Sequence, residues 1–170
     1  RLAGDGPDLA PDRRVATSNN LPAALATFIG RSSEIGEIRE LIARSRLVTI
    51  LGAAGSGKTR LAVEVGRSLL ADFAEDGVWF VDLAPVRSPD QVADAIAQPL
   101  GVGHLAYKPT EDVLAGYLAG RRLLLILDNC EHMADKVAST TDRLLRSTSG
   151  LVVLATSRER LGVEGETIVI

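Results

Sequence analysis

The stretch Gly52-Ala53-Ala54-Gly55-Ser56-Gly57-Lys58-Thr59 decides the fold, because it follows the pattern G-x-x-x-x-G-K-T of a phosphate-binding P-loop. A short apolar run, Leu47–Leu51, precedes it, and a helical pattern follows it. This order of strand, loop and helix distinguishes a true P-loop from a chance match. The alternative is a glycine-rich connection between a strand and a helix that binds no ligand.

A loop that wraps a polyphosphate must bring its backbone N–H groups close to the ligand, in conformations that side chains would block. Gly52, Gly55 and Gly57 supply that freedom. The loop and the first turn of the helix then form an anion-binding nest. Lys58 brings a positive charge to the outer phosphates, and the hydroxyl of Thr59 is the expected ligand for Mg²⁺.

The composition is that of an ordinary globular chain. Its 170 residues suffice for one domain with a sizeable core. They are 46% hydrophobic and 24% charged, with a formal net charge of −3, a balance typical of soluble proteins. The basic pairs Arg13-Arg14 and Arg121-Arg122 are isolated, and there is no long basic run. We therefore expect no direct nucleic-acid contact from this chain.

The single cysteine, Cys130, excludes an internal disulfide and fits a reducing cytoplasm. No apolar run approaches the roughly 20 residues that a membrane-spanning helix needs, and no signal peptide is visible. The chain begins at Arg1 and ends on the apolar run Thr167–Ile170. We expect a cytoplasmic domain without membrane contact that has been cut from a longer protein.

The order of elements predicts the fold class. Residues 1–20 are rich in Gly, Pro, Asp and Asn, which predicts a flexible linker before a domain at 21–170. Apolar runs predict strands at 47–51, 78–83, 121–128, 151–155 and 167–170. One predicted helix begins near Ser32 or Ser33, either of which can cap it, and others cover about 58–73, 88–100, 110–119 and 131–147. This alternation predicts an α/β fold, a three-layer P-loop NTPase sandwich around a parallel five-stranded sheet.

Ligands in such sheets bind beyond the carboxyl ends of the strands, so polar residues at those ends are the functional candidates. Asp128 closes the aliphatic run Leu123–Leu127 and matches a Walker B carboxylate, which holds Mg²⁺ directly or through water. The alternative is a strand-terminal aspartate that caps the next helix. The upstream P-loop favours the metal role, with Thr59 and Asp128 as the metal ligands.

The residue after Asp128 bears on hydrolysis, because an acid near this position commonly orients the attacking water. Asn129 occupies it and cannot act as a base. The Glu131 carboxylate can orient the water instead, but an acidic residue in the first turn of a helix is an equally good interpretation. His132 is ambiguous in the same way. Asp82, at the end of the second strand, is a weaker candidate and fits a turn residue better.

Arg158 follows the fourth strand as part of Thr156-Ser157-Arg158. A guanidinium at this place can reach the γ-phosphate of a nucleotide and report its presence. The alternative is a surface ion pair with Glu159 or Glu164. The position of Arg158 beyond a strand end favours the sensor role.

Four further pieces of the sequence add to the P-loop, and three of them, at 30–34, 127–132 and 155–162, are more specific than the P-loop alone. The four pieces are Phe28-Ile29-Gly30-Arg31 with Glu34, Val78–Ala84, Leu127-Asp128-Asn129-Cys130-Glu131-His132, and Ala155–Gly162. With the P-loop they resemble the NB-ARC-like ATPase domain of large bacterial transcriptional regulators of the LuxR and SARP types, which belong to the STAND class. The resemblance extends from about Asn20 to the end of the chain.

The resemblance implies a sheet of order 5-1-4-3-2, with the strand of Thr156 between the P-loop strand and the Asp128 strand. It also implies that the lead-in to the first helix lies against adenine, and that ATP rather than GTP is bound. Domains of this kind switch between a closed ADP form and an open ATP form that self-associates and controls transcription. The helical, winged-helix and DNA-binding domains that accompany them in the family lie outside this chain.

These arguments together predict the site. We expect ATP or ADP, with Mg²⁺, to be bound by Ile29, Gly30, Arg31, Gly52, Ala53, Ala54, Gly55, Ser56, Gly57, Lys58, Thr59, Arg60 and Arg158. The residues expected to act in catalysis are Asp128, Glu131 and Arg158.

A regulatory ATP/ADP switch with slow or no hydrolysis in isolation is the function that these features favour. The alternative is an active P-loop ATPase or a small-molecule kinase. A kinase needs a second substrate pocket and usually an arginine-rich lid, and the loop at 101–109 offers no clear lid. A third possibility is a nucleotide-free scaffold, and the intact Lys58, Thr59 and Asp128 argue against it.

Overall fold

The computed structural model describes residues 17–24 and 30–170 of the chain. Five strands form its sheet: β1 (Leu47–Leu51), β2 (Val78–Asp82), β3 (Leu123–Asp128), β4 (Leu151–Ser157) and β5 (Glu166–Val169). The described residues also form the helices α1 (Ser32–Arg44), α2 (Lys58–Ser68), α3 (Val92–Ala97), α4 (Thr110–Leu118) and α5 (Ala134–Ser147). Short 3₁₀ helices at Pro89–Gln91 and Cys130–Met133 precede α3 and α5.

The sheet is parallel throughout, with the strand order β2-β3-β4-β1-β5. This is the predicted order 5-1-4-3-2 read from the opposite edge, so the predicted fold class is confirmed. β4 lies between β1 and β3, although it follows both of them in the sequence. The carboxyl ends of these three strands therefore lie side by side, at the edge of the sheet where ligands bind in α/β folds.

Helices cover both faces of the sheet, and β3 shows how. Leu124 and Ile126 pack on one side with α1 and α2, whereas Leu123, Leu125 and Leu127 pack on the other side with α3, α4 and α5. All five side chains are buried. This two-sided burial explains the continuous aliphatic run of β3 and fixes the strand that carries Asp128 at its end.

The end of α2 differs from the prediction. The helix stops at Ser68 rather than near Phe73, and turns cover residues 69–76. The N–H of Leu69 is shared between two carbonyls of the last helical turn, both at 3.1 Å. Leu69 and Phe73 are nevertheless buried, so the apolar spacing continues beyond the helix and misleads a prediction from periodicity.

The starts of three helices also differ. The predicted helices at 88–100 and 131–147 each begin with a 3₁₀ turn. The predicted cap of α1 by Ser32 or Ser33 is wrong, because both serines lie inside the helix. The residue before them is Arg31, and no side chain makes a capping hydrogen bond there.

Residues 17–20, the described part of the predicted linker, run along the outer edge of β2. The Asn20 amide pairs with the backbone of Phe80, donating to its carbonyl at 2.8 Å and accepting from its N–H at 2.6 Å. Asn19 forms a parallel bridge with Val78. These contacts cover an edge strand that would otherwise be open to pairing with another chain. The domain boundary between residues 20 and 21 stays a prediction.

Candidate nucleotide site

The predicted P-loop covers residues 52–59, of which 52–57 join β1 to α2 in a tight turn and Lys58 and Thr59 begin the helix. The Ser56 N–H donates to the Ala53 carbonyl at 3.2 Å. Gly57 has a φ of 85°, in the left-handed region that glycine adopts without steric cost. A side chain on Gly52 would place its Cβ 2.7 Å from Ser56 Oγ. The backbone conformation therefore favours glycine at position 57, whereas a side chain at position 52 would require the Ser56 hydroxyl to shift.

Lys58 is the first residue of α2, and its ammonium group lies on the loop. Its Nζ donates to the carbonyl oxygens of Gly52 and Ala53, both at 2.8 Å. A phosphate oxygen carries a fuller negative charge than a carbonyl oxygen and makes a stronger hydrogen bond with an ammonium group. The Lys58 ammonium is thus held where an anion in the loop can compete for it.

Thr59 and Asp128 meet across the end of the sheet. The Thr59 hydroxyl lies 2.9 Å from each carboxylate oxygen of Asp128. On the other side, the Thr156 hydroxyl of β4 donates to Asp128 Oδ1 at 2.5 Å. Asp128 is only 2% exposed. Three segments that are far apart in the sequence therefore converge on one buried carboxylate.

The surroundings of Asp128 disfavour its negative charge. Burial raises the pKa of its carboxyl group, and the nearby carboxylates of Asp82 and Glu131 act in the same direction. The hydrogen bonds from Thr156 and Thr59 oppose this rise without cancelling it. A bound cation would favour the ionised form of such a group.

Asn129 links Asp128 to the end of β2. Its amide nitrogen donates to Asp128 Oδ2 at 2.9 Å and to Asp82 Oδ1 at 3.1 Å. Its backbone N–H donates to the Thr156 hydroxyl at 3.1 Å, and its φ of 61° is left-handed. The ring of His132 lies 3.0 Å from the Asn129 carbonyl. Asn129, which cannot act as a base, thus bridges two carboxylates. Asp82, predicted as a turn residue, is the last residue of β2, and its Oδ1 also accepts from the Ala84 N–H of the following turn at 2.9 Å.

Glu131 and Arg158 form an ion pair across the same strand ends. Arg158 Nε lies 3.4 Å from Glu131 Oε1. Glu131 is therefore the partner of Arg158, in place of Glu159 or Glu164, which the sequence offered as alternatives. Glu131 lies in the first turn of the 3₁₀ helix that precedes α5. This place also fits the other interpretation of Glu131, an acidic residue at the start of a helix. The structure therefore brings Arg158, the candidate phosphate sensor, into contact with Glu131, the carboxylate that is a candidate to orient water.

Arg31 lies against the P-loop. Its Nη2 donates to the Ser56 carbonyl at 3.2 Å, and its Nε pairs with Glu34 at 3.3 Å. Gly30, which has a left-handed φ of 94°, turns the chain into α1 just before it. Ile29 lies outside the described residues, so the contact of this lead-in with adenine stays a prediction.

A cleft of 710 Å³ extends from the P-loop in two directions. Toward the strand ends it reaches Asn129, Glu131 and Arg158. Along α2 it reaches Val63 and Arg67. Its further lining residues are Pro22, Ala23, Ala24, Ala54, Gly55, Gly57, Lys58, Thr59, Arg60 and Glu64. Most of the predicted nucleotide-binding residues therefore surround one cavity of the size that small-molecule sites have.

Sequence reasoning missed one wall of this cleft and one member of the carboxylate network. The wall is formed by residues 22–24, which Arg67 holds by donating to the Pro22 carbonyl at 2.8 Å. The missed residue is Thr156, whose hydroxyl donates to the Asp128 carboxylate. Its place beside β3 follows from the strand order, so that order was the signal that could have identified it.

A family model described as an AAA domain matches residues 42–161. That span covers the P-loop, Asp128 and Arg158, and it exceeds half of the chain. The chain belongs to the AAA domain family. Nucleotide binding is what this family and the P-loop NTPase fold lead us to expect.

Two mycobacterial relatives are similar to this AAA domain. An uncharacterized protein of Mycobacterium tuberculosis is 38% identical over 152 residues, which cover 89% of this chain and 38% of that protein. A candidate HTH-type transcriptional regulator of the same organism is 42% identical over 129 residues, which cover 76% of this chain and 14% of that protein. The chain thus spans well under half the length of these relatives.

Solved structures show the same fold at low sequence identity. The ORC2 protein of Aeropyrum pernix, solved as ADPNP–ADP complexes, has a TM-score of 0.63 at 20% identity, over 88% of this chain and 45% of that one. A STAND protein with a tetratricopeptide repeat sensor from Pyrococcus horikoshii has a TM-score of 0.59 at 20% identity, over 94% of this chain and 25% of that one.

In the described parts of this chain, no helix is both long enough and apolar enough to cross a membrane.

Proposed function

We propose that residues 21–170 form the ATP- and ADP-binding switch domain of a bacterial transcriptional regulator. The observation that carries this proposal is the contact of Thr59 with both oxygens of Asp128, at 2.9 Å each, beside the P-loop cleft. It joins the hydroxyl at the start of α2 to the carboxylate at the end of β3. This pairing of donors is what a magnesium–nucleotide site at the end of a parallel sheet requires.

The residues present fit a magnesium ion. Mg²⁺ prefers oxygen ligands and is commonly held by one or two carboxylates together with substrate phosphates. Asp128 and Thr59 supply such oxygens. Asp128 is buried, and none of its hydrogen-bond partners in the described part of the chain is a cation, so its charge is left to be compensated. When bound, Mg²⁺ would offset the charge of the phosphates. Lys58 would bind the outer phosphates, and the loop backbone would orient them.

The contacts of the acidic residues support slow hydrolysis. Asn129 uses its amide to bridge Asp82 and Asp128, so it offers no base to an attacking water. Glu131 is the acid that lines the cleft on the side of the strand ends, and one of its oxygens is paired with Arg158. An active ATPase is the second candidate, because Glu131 lines the cleft and its Oε1, once released by Arg158, could orient a water molecule.

The role in transcription rests on relatives and resemblance. The mycobacterial relative that is 42% identical carries the name of a candidate HTH-type regulator, and the motifs resemble the NB-ARC-like domains of LuxR- and SARP-type regulators. In this proposal Ile29, Gly30 and Arg31 lie against adenine, DNA is bound by other domains of a longer cytoplasmic protein, and nucleotide exchange controls self-association.

Calorimetric titration with ATP and with ADP, each with Mg²⁺, tests the proposal. The chain should bind nucleotide, and Lys58→Ala should abolish binding while its thermal unfolding stays cooperative. Lys108→Ala is the matched control, because it removes an exposed lysine outside the cleft and should leave affinity unchanged. Equal affinity in Lys58→Ala would contradict the site assignment, and no binding by the unchanged chain would contradict nucleotide binding by these residues alone.

A further inference from the structure

The ion pair of Glu131 and Arg158 lies at the mouth of the cleft, and its two members differ in freedom. The Glu131 side chain is 18% exposed, whereas that of Arg158 is 60% exposed. Both line the same cavity as Lys58 and Thr59. The carboxylate is therefore held in place by its surroundings, and the long guanidinium side chain is the member that can move.

Arg158 is the charged partner of Glu131 in the described structure. Its Oε2 is buried and has no hydrogen-bond partner among the residues that the structure describes. It also lies close enough to Asp128 for the two carboxylates to repel each other. A buried carboxylate with one unpaired oxygen and a like-charged neighbour gains strongly from a nearby cation. Arg158 Nε, at 3.4 Å, supplies that cation.

We propose that Glu131 sets the preference of the site for ADP over ATP by holding Arg158 in this ion pair. The inference rests on the proposed function. A guanidinium at the end of β4 can bind either the Glu131 carboxylate or a terminal phosphate, and both are planar or branched anions that its fork of donors recognises. ATP must draw Arg158 away from Glu131 to gain that contact. ADP has no third phosphoryl group to offer and leaves the pair intact.

Two consequences follow from this competition. ATP binding bears the cost of breaking the Glu131–Arg158 pair, and ADP binding does not, so Glu131 acts as a specificity-determining residue that works through Arg158. Arrival of the γ-phosphate also releases Glu131 from its cation next to Asp128. The acid that could orient water thus becomes free only when a triphosphate is present.

The test is the ratio of the ADP and ATP affinities, measured by calorimetry with Mg²⁺ on the whole chain. Partly exposed ion pairs of this kind are worth up to about 1 kcal/mol, or about fivefold in affinity. Glu131→Gln should therefore tighten ATP binding about two- to fivefold and leave ADP binding unchanged. Glu131→Asp keeps the charge but shortens the reach to Arg158, and it should shift the ratio in the same direction.

The matched control is Glu164→Gln, which breaks the Arg146–Glu164 pair at 3.1 Å, away from the cleft. It should leave the ratio unchanged. Arg158→Ala should weaken ATP binding and not ADP binding. In the double variant Glu131→Gln/Arg158→Ala, the gain from Glu131→Gln should vanish, because the two residues act as one unit.

Three results would overturn the inference. Equal changes for ATP and ADP in Glu131→Gln would mean that the pair does not read the third phosphate. A gain that persists in the Arg158→Ala background would mean that the Glu131 charge acts on ATP directly. Absence of nucleotide binding by the unchanged chain would overturn the proposed function together with the inference, whereas the first two results would leave the proposed function standing.

Discussion

The half-buried carboxylate of Glu111 and the buried carboxylate of Asp128 differ in whether a cation of the chain lies beside them. Glu111 lies between α4 and α5, where it accepts from Lys136 Nζ at 2.5 Å, Thr140 Oγ1 at 2.8 Å and Arg143 Nη1 at 3.0 Å. Burial opposes its charge, but these hydrogen bonds and the Lys136 charge outweigh burial and hold the pKa of Glu111 below its ordinary value. The structure itself supplies the cations.

Asp128 has hydrogen bonds in similar number, but none of its partners among the described residues is a cation. They are the hydroxyls of Thr59 and Thr156 and the amide of Asn129. Burial therefore dominates, and the pKa of Asp128 lies above its ordinary value. The comparison teaches that a carboxylate of the scaffold is neutralised by the chain, whereas the carboxylate at the strand ends is left for a cation that comes with a ligand.

The largest expected effect follows from removing the charge of Asp128. Asp128→Asn keeps the shape of the side chain but loses the anionic ligand, so Mg²⁺ should no longer strengthen nucleotide binding. Loss of groups that support a metal site commonly costs 10- to 100-fold in metal affinity, and we expect about 100-fold for a direct ligand. Calorimetric titration with ADP, with and without Mg²⁺, measures it. Glu111→Gln is the control and should leave the Mg²⁺ dependence intact.

The second effect is a loss of stability on removing the charge of Glu111. Glu111→Gln removes the anion shared by Lys136 and Arg143, and it should lower the free energy of unfolding by about 1–2 kcal/mol, since the pair is partly screened by solvent. Urea denaturation of the nucleotide-free protein measures the loss. Nucleotide affinity should stay unchanged. A Glu111→Gln variant as stable as the parent would remove the scaffold role from the comparison.

Asn129→Asp tests whether extra negative charge beside Asp128 makes the site depend more strongly on a cation. The substitution replaces the bridging amide with a third carboxylate beside Asp82 and Asp128, so the nucleotide-free protein should lose about 1 kcal/mol of stability. A cation should then relieve the repulsion, so added Mg²⁺ should restore part of the loss. Thermal unfolding with and without Mg²⁺ measures both. The new acid should also raise ATP turnover if a missing base limits hydrolysis, and unchanged turnover would direct attention to Glu131.

The smallest effects concern pH, and the two carboxylates should respond with opposite signs. The stabilising contribution of Glu111 is present above its ordinary pKa and is lost as the pH falls through its lowered folded-state value. The contribution of Asp128 is fully present below its ordinary pKa and is lost as the pH rises through its raised folded-state value. Urea denaturation across acidic pH, in EDTA and without nucleotide, should show each slope flattened in Glu111→Gln and Asp128→Asn respectively.

The local patterns of the sequence predicted the parts of the site that depend on neighbours in the chain. The P-loop and Asp128 follow directly from a strand, a glycine pattern and an aliphatic run. The strand order came from resemblance to a family and not from periodicity, because periodicity does not record which strands pair. Once that order is known, Thr156 falls beside Asp128, as the structure has it.

The contacts that sequence reasoning did not predict join residues distant in the chain. Glu131 and Arg158 are separated by 27 positions, and Asn129 and Asp82 by 47. No local spacing specifies such pairs, because they depend on how neighbouring strand ends are aligned. The helix end at Ser68 was missed for a different reason, since buried turns can continue a helical apolar spacing.

The account rests on Asp128 and Thr59 holding a cation that arrives with the nucleotide. Electron paramagnetic resonance with Mn²⁺ in place of Mg²⁺ tests this directly, because bound Mn²⁺ loses the signal of the free ion. With ADP present in limiting amount, the parent chain should remove more free Mn²⁺ than ADP alone does, and Asp128→Asn should lose that excess. Equal Mn²⁺ binding by the parent and by Asp128→Asn would contradict the account.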